Sequence, residues 1–143
     1  MNELQVKRDL VVGALRKLDM LKLFEEISEN DFVTFRAVQD LHQSRCVILL
    51  NIDESVYSNI TIFFATLDNV AKKEKALQLI NDLNITYKAN KYFINDNNEI
   101  AMQIPYISTA DKFDAELFAE MIFTAYRTIK ENDYSKFMRI MWS

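Results

Sequence analysis

Apolar residues recur along this chain with two periods, and the switches between them mark out its elements. Over residues 3–18, Leu4, Leu10, Val11, Ala14, Leu15 and Leu18 fall on one side at about 100° per residue. Lys7 lies at the border of that side, and Arg8, Asp9 and Arg16 face outward. This spacing predicts a first helix that buries one stripe. Residues 20–30 carry Leu21, Leu23, Phe24 and Ile27 at intervals that fit a short helix or an irregular strand, and both readings stay open. Three runs rich in β-branched and aromatic residues follow at 32–38, 46–52 and 60–67. Polar segments around 39–44 and 53–59 separate them, which predicts an antiparallel meander.

After Leu67 the period changes from 2 to 3.6. Asp68 is placed as an N-cap whose side chain accepts from a first-turn amide, ahead of a helix over 69–83. Its inward stripe is Val70, Ala76, Leu77, Ile80 and Leu83, and Asn84 is its expected stop, because Asn tolerates the left-handed conformation. Strands at 87–94 and 100–106 then read as a hairpin around Asn95, Asp96, Asn97 and Asn98. These residues tolerate positive φ and bond their own backbone, as a turn without glycine requires. Pro105 marks a strand exit or an edge. Ser108 or Thr109 is the expected cap of a helix over 111–130. Residues 133–143 form a short terminal helix with Tyr134, Phe137, Met138, Met141 and Trp142 as its apolar set. The order α-βββ-α-ββ-α predicts a single α+β domain over 1–143, an antiparallel sheet with helices mainly on one face. Phe93, Ile94, Ile104, Leu77, Ile80, Leu117 and Met121 are expected in its common core.

The run ALQLINDLNITYKANKYFINDNNEIAMQIPY, from Ala76 to Tyr106, precedes an acid-led amphipathic helix at DAELFAEMIFTAYRTI. A helix ending in Leu83 and Asn84, a strand closing on Tyr92, Phe93 and Ile94, an Asn/Asp turn and a strand leading into the last long helix together resemble the YbjN-like group of bacterial proteins. That group is similar in fold to type III secretion chaperones. The resemblance implies a non-enzymatic, often dimeric protein that holds a segment of another protein on its sheet or helices. It names no partner and assigns no residue-level site.

Composition narrows the chemistry. With Gly 1, Cys 1 and His 1, the chain lacks the glycines of a phosphate-cradling loop and the ligands of a Cys/His zinc site, so neither nucleotide nor metal cofactor is expected. One cysteine allows no internal disulfide, and the longest uncharged run near the N-terminus, Leu10 to Leu15, is far too short for a signal or a membrane span. A cytoplasmic protein is the expectation. A net charge of −4 argues against nucleic acid as a partner, and Lys72, Lys73 and Lys75, interrupted by Glu74, read as a solvated helix face.

His42, with Asp40, Ser44 and Cys46 nearby, has the residue types of an activated nucleophile. Cys46 nevertheless opens the apolar run CVILL and reads as structural. Asp96, Asn98 and Glu99 lack the glycine and the distal Glu of a calcium loop. The pairs Asp53 with Glu54 and Glu116 with Glu120 need a pKa-shifting cleft before they can do acid–base work.

In the last long helix Phe113, Leu117, Phe118, Met121, Ile122, Ala125, Tyr126 and Ile129 spread over roughly 220° of arc, wider than the stripe of a little over 100° that one packed face needs. Either this helix is covered on two sides, or part of the arc, Phe118, Ile122 and Tyr126, meets a partner. The functional expectation is therefore a non-enzymatic protein-binding module of chaperone or adaptor type. Its partner is a protein client or, as a homodimer, a second copy of the chain. The other expectation is a small regulatory or inhibitory protein that blocks a surface of another macromolecule.

Overall fold

The computed structural model describes residues 2–143. Helix α1 (Glu3–Lys17) is capped by the Asn2 side chain, which accepts from the Gln5 N–H at 2.8 Å. It ends in a Schellman motif: Met20 N–H donates to Leu15 C=O and Asp19 N–H to Arg16 C=O, with Asp19 at a φ of 56° in the place usually taken by glycine. That reversal buries Met20 and throws the chain into a 3-10 turn, Leu21–Leu23. The ambiguous segment thus becomes a turn followed by a short strand, β1 (Glu25–Ser28).

The meander is β2 (Phe32–Leu41), β3 (Ser44–Asp53) and β4 (Tyr57–Thr66). A 3-10 turn, Val70–Lys72, capped by Asn69 rather than Asp68, leads into α2 (Lys73–Thr86). Strands β5 (Lys91–Ile94) and β6 (Glu99–Ile107) form the expected hairpin. Its Asn95 side chain accepts from the N–H groups of Asn97 and Glu99, and Asn98 sits at a φ of 60°. Helix α3 (Ala115–Thr128) is capped by Asp114, not by Ser108 or Thr109. It runs through a π-helical turn, Ile129–Asp133, into α4 (Tyr134–Met141).

The protein is α+β, with a six-stranded antiparallel sheet in the order β1-β2-β3-β4-β6-β5. Burial alternates along the strands. Val33, Phe35 and Ala37 of β2 share one face with Ile48, Leu50 and Ile52 of β3, Ile60 and Ile62 of β4 and Met102 and Ile104 of β6, and the helices pack on that face. Helix α1 packs against α3 and over β2 and β3, α3 lies over β4 and β6, and α2 flanks β5 and α4. The opposite face carries a polar ladder. Thr34 Oγ1 donates to Asn51 Oδ1 at 2.9 Å, while Asn51 Nδ2 and Thr61 Oγ1 both donate to Asn59 Oδ1. Gln103 Nε2 completes it by donating to Thr61 Oγ1.

Several expected core positions move. Leu77 and Leu117 lie outside the core, because α2 and α3 each present a narrower stripe to the sheet than their apolar arcs suggest, and Leu10 of α1 and Val70 of the 3-10 turn are exposed as well. Ile80 and Ile104 are buried, and Phe93, Ile94 and Met121 are half-buried. Lys7 goes the other way and is fully buried. Its ammonium donates to the carbonyls of Asp53 (3.2 Å) and Ser55 and lies over the Phe113 ring, which ties α1 to the β3–β4 turn. No helix among the described residues is long and apolar enough to cross a membrane.

Candidate partner-binding edge

Part of the wide arc of α3 resolves into core, while Leu117 is exposed and Met121 and Tyr126 are half-buried. Phe118 and Ile122 are 0% and 3% exposed, packed by the chain's own sheet and by α1, so neither presents a surface to a partner in place of that core. Of the three expected contact residues only Tyr126 reaches the surface, half-buried, and its hydroxyl donates to the Asp40 carbonyl. Burial pushes the Tyr126 phenol up from its ordinary value.

That hydrogen bond marks an incomplete edge. Glu29 N–H donates to Phe32 C=O at 2.9 Å, so the main-chain groups of Phe32 point toward β1. Alternation sends those of Thr34 and Arg36 the same way, and then those of Val38 and Asp40. Strand β1 begins at Glu25, opposite Arg36, so beyond that pair β2 has no strand neighbour on this side among the described residues. The outward carbonyls of Val38 and Asp40 are each covered by a side chain, Gln39 Nε2 at 3.0 Å and the Tyr126 hydroxyl. Among the described residues their outward N–H groups have no main-chain partner.

Beside this half-edge lies a recess of about 160 Å³ whose walls are almost wholly apolar. Met20, Leu23 and Phe24 come from the turn after α1, Ala37 and Ile48 from the sheet. Ile122, Phe123 and Tyr126 close it from α3. Leu23 and Phe123 stand on the rim, 44% and 43% exposed. The recess exists because the Schellman turn spends residues 19–24 on a compact reversal, where an extended chain would have carried β1 alongside the rest of β2.

The other candidate groups have local structural roles. His42, at a φ of 54° in the two-residue β2–β3 turn, has Nε2 2.7 Å from the Lys130 carbonyl and its ring stacked on Tyr134. It faces away from nucleophilic work: Cys46 is buried, and desolvation pushes its thiol up to about 11. Asp53 Oδ1 accepts from Ser55 in the β3–β4 turn, and Glu116 pairs with Lys17 at 2.6 Å on the surface. Lys72 and Lys73 donate to Ser143 Oγ and Asn98 Oδ1. Among the described residues no three His, Cys, Asp or Glu side chains gather as metal ligands. The open edge itself was not visible in the residue pattern, since it depends on where pairing with β1 stops.

No family model matches this chain, and no curated protein matches it in sequence.

Proposed function

We propose that this protein is a non-enzymatic binding module of chaperone or adaptor type that holds an extended segment of another protein as an added strand along β2 beyond β1. The observation that carries the reading is the pair of outward N–H groups on Val38 and Asp40 beside an apolar recess that takes one side chain. Strand addition uses both features: main-chain hydrogen bonds supply attachment, and a pocket for alternate side chains supplies choice.

Magnitudes set the expected strength. Two residues facing the edge offer up to four main-chain hydrogen bonds, each worth about 1 kcal/mol net, and one buried Leu- or Phe-sized side chain adds about 1.5–3 kcal/mol. Association costs of several kcal/mol and displacement of the Gln39 and Tyr126 caps oppose this sum. A short segment alone is therefore held weakly, at micromolar dissociation constants or above.

The test is selection of short peptides from a displayed library, followed by NMR mapping of the strongest binder. The expected binder is extended, with apolar residues at alternate positions, and protects the Val38 and Asp40 amides from exchange. Val38→Pro removes one outward N–H without touching the β2–β3 ladder, so a folded V38P protein should lose the binder. Binding that persists in V38P, or a wild-type complex that leaves the Val38 and Asp40 amides unprotected, overturns the reading.

A further inference from the structure

A second concavity, sharing no residue with the recess, runs along α4 beneath the β2–β3 turn, an open groove of about 720 Å³. That size lies within the range of small-molecule sites, roughly 300–1,000 Å³. Two rows of side chains line it at helical i, i+4 spacing. Tyr134, Met138 and Trp142 form an apolar row, and Arg139 stands in a polar row beside Ser135 and Ser143. The π-helical turn ahead of Tyr134 sets this phase, which keeps Phe137 in the core while Trp142 is left 74% exposed.

The far wall is fixed before any ligand arrives. The His42 ring stacks on Tyr134 with centroids 5.1 Å apart and planes 27° from parallel, and its bond to the Lys130 carbonyl holds the ring in place. The lining contains one guanidinium, that of Arg139, and no acidic side chain. Arg139 makes no ion pair or side-chain hydrogen bond among the described residues, and Lys72 adds a second cation at the rim through Ser143 Oγ.

We infer that this groove binds a small planar aromatic carboxylate, its ring against Trp142 and Met138 and its carboxylate on Arg139. An unpaired guanidinium matches a carboxylate in a two-point contact, and the exposed Trp142 face matches a flat ring, so the ligand's two parts answer the groove's two rows.

The single tryptophan makes the test direct, since its indole N–H gives one isolated NMR signal. Naphthoate, titrated into the labelled protein, should shift that signal saturably, with half-saturation below about 1 mM. The neutral naphthamide should bind at least several-fold more weakly. R139Q should weaken naphthoate about tenfold, the loss of a charge-assisted contact, and leave naphthamide unchanged. Arg139 is exposed and unpaired, so the variant is expected to fold as the wild type does. No saturable shift by about 5 mM, equal binding of acid and amide, or indifference to R139Q overturns the inference.

Discussion

The sheet has two lateral borders, and the chain finishes them in different ways. At β5 the outward main-chain groups of Tyr92 are taken by one side chain: Asn84 Oδ1 accepts from Tyr92 N–H at 2.8 Å, and Asn84 Nδ2 donates to Tyr92 C=O at 3.2 Å. A single amide thus imitates the strand that would otherwise come next. Lys91 ties the same corner by donating to the carbonyls of Asn84 and Tyr87. Along β2 beyond Arg36, only carbonyls are covered, and the covering groups sit on the half-buried side chains of Gln39 and Tyr126. At Tyr92 an amide that supplies both donor and acceptor leaves neither main-chain group for another chain. An edge closed on its acceptors alone keeps its donors for another chain, and natural sheets seldom leave such edges without a reason.

The closed border is anchored by a buried carboxylate, and breaking it there should have the largest effect. Asp133, fully buried at the end of the π-helical turn, accepts from the Tyr92 hydroxyl at 2.6 Å and the Tyr87 hydroxyl at 2.7 Å on the same oxygen, Oδ2. Its Oδ1 has no hydrogen bond, only the Lys136 ammonium 3.5 Å away. Asp133→Ala strands the buried Tyr92 hydroxyl and the half-buried Tyr87 hydroxyl and should cost about 3 kcal/mol in chemical denaturation, the scale of hydrogen bonds to a charged group.

The same lock has an alkaline signature. Burial first, then the Asp133 hydrogen bond, push the Tyr87 phenol up to about 12 and the Tyr92 phenol further still. A phenol with a raised folded pKa stabilises the fold fully below its unfolded value of about 10. That contribution is lost as pH rises toward and through the folded value. Stability should therefore fall from about pH 10 upward, and ultraviolet titration should find Tyr87 and Tyr92 ionising above the ordinary phenol range. Their ionising at the ordinary phenol value of about 10 would show that β5 is not locked.

How much of this was legible in the residues follows from where the information lies. The Asn95–Asn98 turn, the meander and the helices are local, carried by period and turn chemistry, and they appear at nearly the expected places. Strand β1 was ambiguous because Glu25–Ser28 is exposed throughout and shows no alternation of apolar and polar residues. Strand β5 starts at Lys91 rather than Tyr87 because α2 continues to Thr86, past Asn84, whose amide is spent on β5 and not on ending the helix. The wide arc of α3 was visible, but a helical wheel cannot say that Phe118 and Ile122 face a sheet built from distant segments while Leu117 faces water. Lys7 looked like a border residue for the same reason, since the two carbonyls that receive it lie 46 and 48 positions away. The candidate edge depends on the register between β1 and β2, which no single segment encodes.

Asn84→Ala sharpens the contrast at intermediate size. It frees both main-chain groups of Tyr92 in a part-buried setting and should cost about 2 kcal/mol. It also turns the closed border into a second open one. The variant should therefore take up edge-binding peptides at β5 that the wild type binds only at β2. A cost near zero would mean that α2 alone, not the amide, closes that border.

Tyr126→Phe is the smallest change and the most selective. Its hydroxyl is at the surface and bonds only the outward Asp40 carbonyl, so water replaces the lost partner and stability should change by less than about 1 kcal/mol. The ring stays, still walling the recess and still beneath the Lys130 ammonium at 5.7 Å. What changes is the cap: an added strand no longer has to displace a hydroxyl before its own N–H reaches Asp40. If Tyr126 guards a binding edge, the variant should bind selected peptides several-fold more tightly while unfolding at nearly the wild-type denaturant concentration. If the hydroxyl instead serves only to tie α3 to the end of β2, the variant should be less stable with peptide affinity unchanged. Paired titrations and denaturation curves on the two proteins separate these outcomes, because one moves binding alone and the other moves folding alone.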